Sequence, residues 1–271
     1  MKRLVVLDKA VGETPLAAIR VWKRENQEYA HLPASYAGRL DPMASGKLLV
    51  LLGEECKRQK EYTSLDKEYE IEVLLDVASD TGDVLGISKC AGIETAVDER
   101  ALSDALRHER GAHMRAYPAF SSKTVGGKPL FLHALEGSLS YMKVPEHVEH
   151  IYSIRHQGSY TISDSELETK ITALLDLVTH TDEPSKRLGE DFRVDAIRAR
   201  WQELFKTTQG RNFSVLRLQV TCASGTYMRS LAGRLGAALG TSALALSIRR
   251  TKIGKYVSLF GWTGFWMKNI E

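Results

Sequence analysis

The chain has 271 residues, 43% of them hydrophobic and 26% charged, with a net charge of +3. That is the composition of a globular protein with material for a real core, in one large domain or two small ones. No apolar run approaches the ~20 residues of a membrane-spanning helix, the N-terminus MKRLVVLDKA is too short in apolar residues for a secretory signal, and Cys56, Cys90 and Cys222 suit neither a disulfide framework nor a zinc pattern, so a cytoplasmic protein is expected.

In chain order, residues 3–7 read as a short strand. Thr14 and Pro15 then open a helix to about Glu25, the first as N-cap and the second suited to the first turn. Residues 67–75 alternate, with Tyr69, Ile71, Val73 and Leu75 on one face and Glu68, Glu70 and Glu72 on the other, the pattern of a half-buried strand. Thr81-Gly82-Asp83 is a turn, and residues 98–109 are helical. In residues 163–207, Leu167, Ile171, Leu174, Leu175 and Val178 share one helical face. Val194, Ile197, Trp201, Leu204 and Phe205 share a second, and Pro184 and Gly189 break the chain between them. This predicts a helical hairpin spliced between two strands. Residues 213–222 alternate again, Gly225 leads into a helix to about Leu239, and 244–258 is another strand. Isolated helices among strands, without a strict βαβ rhythm, predict an α+β fold with a mixed, mostly antiparallel sheet.

Charge is unevenly spread. Residues 204–270 hold ten Lys or Arg and no Asp or Glu, which suggests a face for a polyanion or, equally, a solvated basic segment. Residues 163–206 hold ten acidic and seven basic side chains, which argues against RNA binding by the hairpin. The most informative loop is Tyr36-Ala37-Gly38-Arg39-Leu40-Asp41-Pro42-Met43-Ala44-Ser45-Gly46. Gly38 and Gly46 permit unusual backbone angles, and Pro42 fixes its own φ and pushes Asp41 toward extended geometry. A carboxylate held so firmly can be aimed at a substrate. By residue type alone, Asp before Pro is an ordinary turn former.

The string Gly38 to Gly46, followed by Leu48-Leu49-Val50-Leu51-Leu52-Gly53-Glu54, resembles the signature loop of TruB-type pseudouridine synthases. Four further segments resemble that family in the same order. They are Leu7-Asp8-Lys9 with Gly12 and Thr14; Asp66-Lys67-Glu68-Tyr69; Pro118-Ala119-Phe120-Ser121 running on to Gly127-Lys128-Pro129-Leu130-Phe131; and Ser224-Gly225-Thr226-Tyr227-Met228-Arg229-Ser230 with Ile248-Arg249-Arg250. The resemblance covers residues 4–257 and leaves out only the hairpin.

The resemblance implies the pseudouridine synthase fold and an isomerisation of uridine 55 in the T loop of tRNA. That reaction breaks N1–C1′ and joins C5 to C1′; no atoms are gained or lost, so neither cofactor nor metal is implied. It also implies roles. Asp41 is the catalytic carboxylate, Arg229 its partner, and Tyr69 the ring that stacks on the flipped base, although periodicity alone reads Tyr69 as a core aromatic. Tyr36, Gly38, Arg39, Lys9, Tyr227, Ile248, Lys123 and Lys128 are implied at the substrate, with Lys9 supporting the site's backbone or charge and Tyr227 packing near Arg229. Residues 110–140 are implied as a basic RNA clamp, 1–258 as the catalytic domain, and tRNA as the partner of a monomer.

Departures from the family pattern are also visible. Tyr36 stands where a histidine is usual, Ala10 where a proline is, and Phe131 where a tyrosine is. No PUA domain is expected, and residues 259–271 are expected to pack on the core through Phe260, Trp262, Phe265 and Trp266. Two alternatives stay open: a synthase for another RNA stem-loop, and a non-catalytic tRNA-binding or folding protein.

Overall fold

A computed structural model of the protein describes residues 3–92, 94–178, 193–259 and 263–270. Among these residues nine strands form the main sheet. Along its path the order is β1 (Leu4–Lys9), β3 (Ala44–Leu52), β12 (Ala243–Leu259), β4 (Asp66–Leu75), β11 (Asn212–Cys222), β10 (Glu146–Ser163) and β7 (Gly111–Ala116). β2 (Ala34–Ala37) pairs with β3, and β13 (Thr263–Asn269) with β12. Two small ribbons lie apart: β5 (Val77–Ser79) with β6 (Ser88–Cys90), and β8 (Thr124–Val125) with β9 (Lys128–Pro129). Among the strands of the described residues only β3 and β12 pair in parallel, through Ile248↔Ala44 to Arg250↔Gly46; their other pairings are antiparallel. The expected α+β class, a mixed and mostly antiparallel sheet with flanking helices, is the fold observed.

Local chemistry sets the helices. Pro15–Glu25 is capped by Thr14, whose hydroxyl accepts from the Ala17 amide at 3.1 Å. Glu99–Glu109 is capped by Asp98, and Met228–Ala238 packs on β12 and β4 with Leu231 and Leu235 in the core. Asp164–Asp176 starts with a full capping box, Ser163 and Glu166 serving each other's backbone amides. It packs against Val194–Thr207 through the face the periodicity gave, with Leu167, Ile171, Leu175, Ile197, Trp201 and Phe205 all buried. Pro184 and Gly189 lie outside the described residues. No helix among the described residues is long and apolar enough to cross a membrane.

One strand has no counterpart in the reading of the sequence, and one segment differs from it. β10 runs for 18 residues but breaks its own alternation. Register shifts between Ile151 and Ser153 and between His156 and Gly158 move the buried side chains from Glu149 and Ile151 to Ile154, so no unbroken period of two exists to find. At the other end, Phe260 and Trp262 lie outside the described residues. Thr263–Asn269 is an added strand: Trp266 meets Tyr256 edge-on at 5.4 Å between ring centroids, while Phe265 is exposed. Successive strand side chains point to opposite faces, so both could not pack inward.

Candidate active site

A cleft of about 350 Å³ opens beside the parallel β3–β12 junction. Asp41 enters it from the loop joining β2 to β3. Leu40 and Met43 on either side are buried and anchor that loop. The Ala44 amide donates to the Asp41 carbonyl at 3.0 Å, and the Gly12 amide to that of Pro42 at 2.9 Å. Gly46 has φ +98°, and a β-carbon there would lie 2.3 Å from the Arg250 carbonyl oxygen. Glycine is therefore what lets β3 approach β12.

Arg229 is buried at the foot of the cleft. Its Nε donates to Asp41 Oδ2 at 2.9 Å, one terminal nitrogen donates to the Thr81 carbonyl, and the other to the Phe120 carbonyl at 3.0 Å. Asp83 Oδ2 lies 3.6 Å from the same Nε. Burial works against the charge of Arg229, but Asp41 and Asp83 outweigh it and hold its pKa above the usual guanidinium value. Burial also raises the Asp83 carboxyl, with Arg229 opposing. The two carboxylates differ in access: the Asp41 side chain is 37% exposed and that of Asp83 only 6%. Asp41 is thus the one an incoming molecule meets.

Tyr69 lines the cleft from β4, paired across the strands with Arg250 of β12. Burial raises its phenol pKa, and Arg250 opposes that rise. Gly38, Arg39, Tyr227 and Ile248 also line the cleft. Tyr227 is fixed by its amide, which donates to the buried Glu149 at 3.1 Å. His147 donates from Nε2 to the Gly225 carbonyl at 2.9 Å and bears on the Tyr227 ring.

Four residues implied at the substrate do not line the cleft. Lys9 is fully buried behind it, where its ammonium donates to the carbonyls of Ala10 and Glu13 at 2.8 Å and of Pro42 at 3.4 Å. It props the Asp41 loop, and burial lowers its pKa to about 8. Tyr36 sits on β2 with its ring against the core cluster, because strand alternation turns it toward that core. Lys123 lies 5.0 Å over the Tyr117 ring, and Lys128 is ion-paired with Glu136.

The sequence reading gave no role to three charged residues that line the cleft: Lys67, Asp83 and Arg250. Lys67 donates to the carbonyls of Thr63, at 2.7 Å, and Leu65. Burial, and then Arg250, lowers its pKa to about 8. Arg250 is buried and donates to the carbonyls of Lys47 at 2.6 Å and Gly38 at 3.1 Å. A signal existed for two of them, since Lys67 lies two residues from Tyr69 and Arg250 two from Ile248, on the same strand faces. Asp83 looks like any turn aspartate. From the helical hairpin, Val178, Val194 and Ile197 border the cleft, each of them buried. No cluster of three His, Cys, Asp or Glu among the described residues has the makings of a metal site.

The family model described as TruB family pseudouridylate synthase (N terminal domain) matches residues 28–173, more than half of the chain. A tRNA pseudouridine synthase B of Azoarcus sp. is 29% identical over 253 residues, covering 93% of this chain and 65% of that protein. Its counterpart in Aromatoleum aromaticum is 30% identical over 256 residues, covering 93% and 63%. The chain thus spans less than two thirds of the length of these curated relatives. A chain in the crystal structure of a Cbf5-Nop10-Gar1 complex superposes with a TM-score of 0.53 at 18% identity, over 93% of this chain and 49% of that one, a likeness of fold. On the matched segment and the fold together, the chain belongs to the TruB family of pseudouridylate synthases.

Proposed function

We propose that this protein is a tRNA pseudouridine synthase that isomerises uridine 55 in the T loop, with Asp41 as its catalytic carboxylate. One observation carries the reading: Asp41 reaches into the cleft while Arg229, buried beneath it, holds Oδ2 at 2.9 Å. A guanidinium donating to three fixed acceptors is preorganised, so the carboxylate need not be positioned anew for each turnover.

The target uridine is withdrawn from its loop, at a cost of a few kcal/mol, and stacks on Tyr69. The carboxylate of Asp41 acts on the nucleotide as N1–C1′ breaks, the base turns, and C5 joins C1′. The proton on C5 then leaves and N1 takes one up, so no net proton is exchanged, and the Tyr69 hydroxyl is the group assigned to assist the removal from C5. Arg39 at the exposed side of the loop and Lys123 on the 110–140 clamp are the cations available to RNA phosphates, whereas Lys128 must first leave Glu136. The protein acts as a monomer on the T arm.

The test is to incubate purified protein with unmodified tRNA transcripts and map pseudouridine. Product at position 55 is expected. Product confined to a different stem-loop would overturn the T-loop assignment, and no product on any RNA would overturn the reaction.

A further inference from the structure

Arg229 sits in the first turn of the helix Met228–Ala238, so its place beneath Asp41 follows from how that helix begins. The helix begins without the usual device. Tyr227 stands at the N-cap position with an extended backbone, and its side chain caps none of the first amides. The restraint comes instead from β10. His147 Nε2 donates to the Gly225 carbonyl at 2.9 Å. Glu149, two residues on along the same strand face, accepts from the Tyr227 amide at 3.1 Å.

His147 is itself gripped between rings. It stacks on Tyr117, with centroids 4.0 Å apart and planes at 21°, and meets the Tyr227 ring edge-on at 5.9 Å. The Tyr117 amide donates to the Pro145 carbonyl at 3.1 Å, which closes the base of the 110–140 segment beside this stack. The His147 side chain is only 12% exposed and does not line the cleft, whereas Gly225, Tyr227 and Arg229 do. A carbonyl can only accept, so Nε2 carries the hydrogen. Nδ1 is buried without a hydrogen-bond partner. An apolar ring would fill the same space without that unmatched nitrogen, so the bond to Gly225 is what the histidine adds over packing.

We propose that His147 is a positioning residue for the isomerisation, which acts through the Gly225 carbonyl and the Tyr227 ring to set where Arg229 meets Asp41. The proposal rests on the reading of the protein as an enzyme acting on a uridine in RNA. A displacement near 1 Å at a reacting group can cost about a hundredfold in rate, and the Gly225–Tyr227 turn is the lever that would produce one. Two variants separate the bond from the ring: His147→Phe keeps a ring to stack on Tyr117 and removes the N–H, and His147→Gln keeps an N–H within reach and removes the ring. Pseudouridine formation on a tRNA transcript, under single turnover at saturating RNA, is measured alongside RNA affinity. His147→Phe is expected to slow the reaction at least about tenfold with affinity within about twofold of wild type, and His147→Gln to recover most of the rate. A wild-type rate in His147→Phe, or equal losses in the two variants, would overturn the role. So would weakened affinity at an unchanged rate, which would make His147 an RNA contact. Amide hydrogen exchange over residues 227–231, read without RNA, is expected to be at least about threefold faster in His147→Phe, as for one lost hydrogen bond, and not in His147→Gln. Exchange unchanged in both would also overturn it. Should His147→Phe not fold, His147→Leu makes the same comparison. The exchange measurement needs no turnover, so a wild-type protein that forms no pseudouridine would count against the enzymatic reading alone.

Discussion

Asp41 and Arg229 stand 188 positions apart in sequence and 2.9 Å apart in the fold. Arg229 spends its three kinds of nitrogen on three different acceptors, which a lysine's single ammonium cannot reproduce. Arg229→Lys is expected to lower kcat by about a hundredfold with little change in KM, read in steady-state assays on tRNA. Lys9 and Lys67 give a pH prediction. Burial lowers both to about 8 from 10.5, so between those values the unfolded chain binds more protons than the folded one. Stability contributed by each group therefore rises with pH from about 8 toward 10 and is flat below 8. Urea unfolding at pH 8 and pH 10 should show a smaller gain in Lys9→Met and in Lys67→Met than in the wild type; an equal gain would count against both assignments. At this scale the sequence was most informative where a residue stood in a long motif, as with Asp41, Tyr69 and Arg229, which all line the cleft. It was least informative where the role depends on a partner across the fold, as with Asp83 beside Arg229 or Lys128 taken up by Glu136.

The same contrast holds for elements. β4 was legible because Tyr69, Ile71 and Val73 keep an unbroken period of two. β10 was not, because its register shifts move the phase, and the buried Glu149 looks like a surface residue until Arg234 is placed beside it. Arg234 of the Met228–Ala238 helix binds Glu149 at 3.1 Å and Glu109 at 2.9 Å, joining that helix to β10 and to Glu99–Glu109. Both glutamates are buried, and Arg234→Ala leaves Glu109 with Arg115, at 3.3 Å, and Glu149 with the Tyr227 amide, at 3.1 Å, so the variant is expected to cost about 3 kcal/mol, the low end for a broken buried pair, measured by denaturant unfolding. Because Glu149 also holds the Tyr227 amide, the loop leading to Arg229 is expected to loosen in the same variant. Within the hairpin, both helical faces were legible from spacing, but their approach to the cleft was not. Spacing reports which side is buried and says nothing about what it is buried against.

Across the molecule, the parallel β3–β12 pairing brings the Asp41 loop beside Ile248 and Arg250, and the Met228–Ala238 helix brings Arg229 up from below. The α+β class was readable from the rhythm of elements, whereas this one parallel pairing joins segments about 200 residues apart and leaves no local trace. If RNA lies across the Arg39 side of the cleft, Arg39→Ala is expected to weaken binding of all RNAs alike and to flatten the slope of log affinity against log salt by about 1, measured by titration at several salt concentrations. The central claim is that the carboxylate of Asp41, held by Arg229, performs the isomerisation. Single-turnover pseudouridine formation on a tRNA T loop by wild type and by Asp41→Asn tests it most directly. The account predicts a rate at least roughly a thousandfold lower in the variant with RNA binding retained, and a variant that forms pseudouridine at the wild-type rate would contradict it.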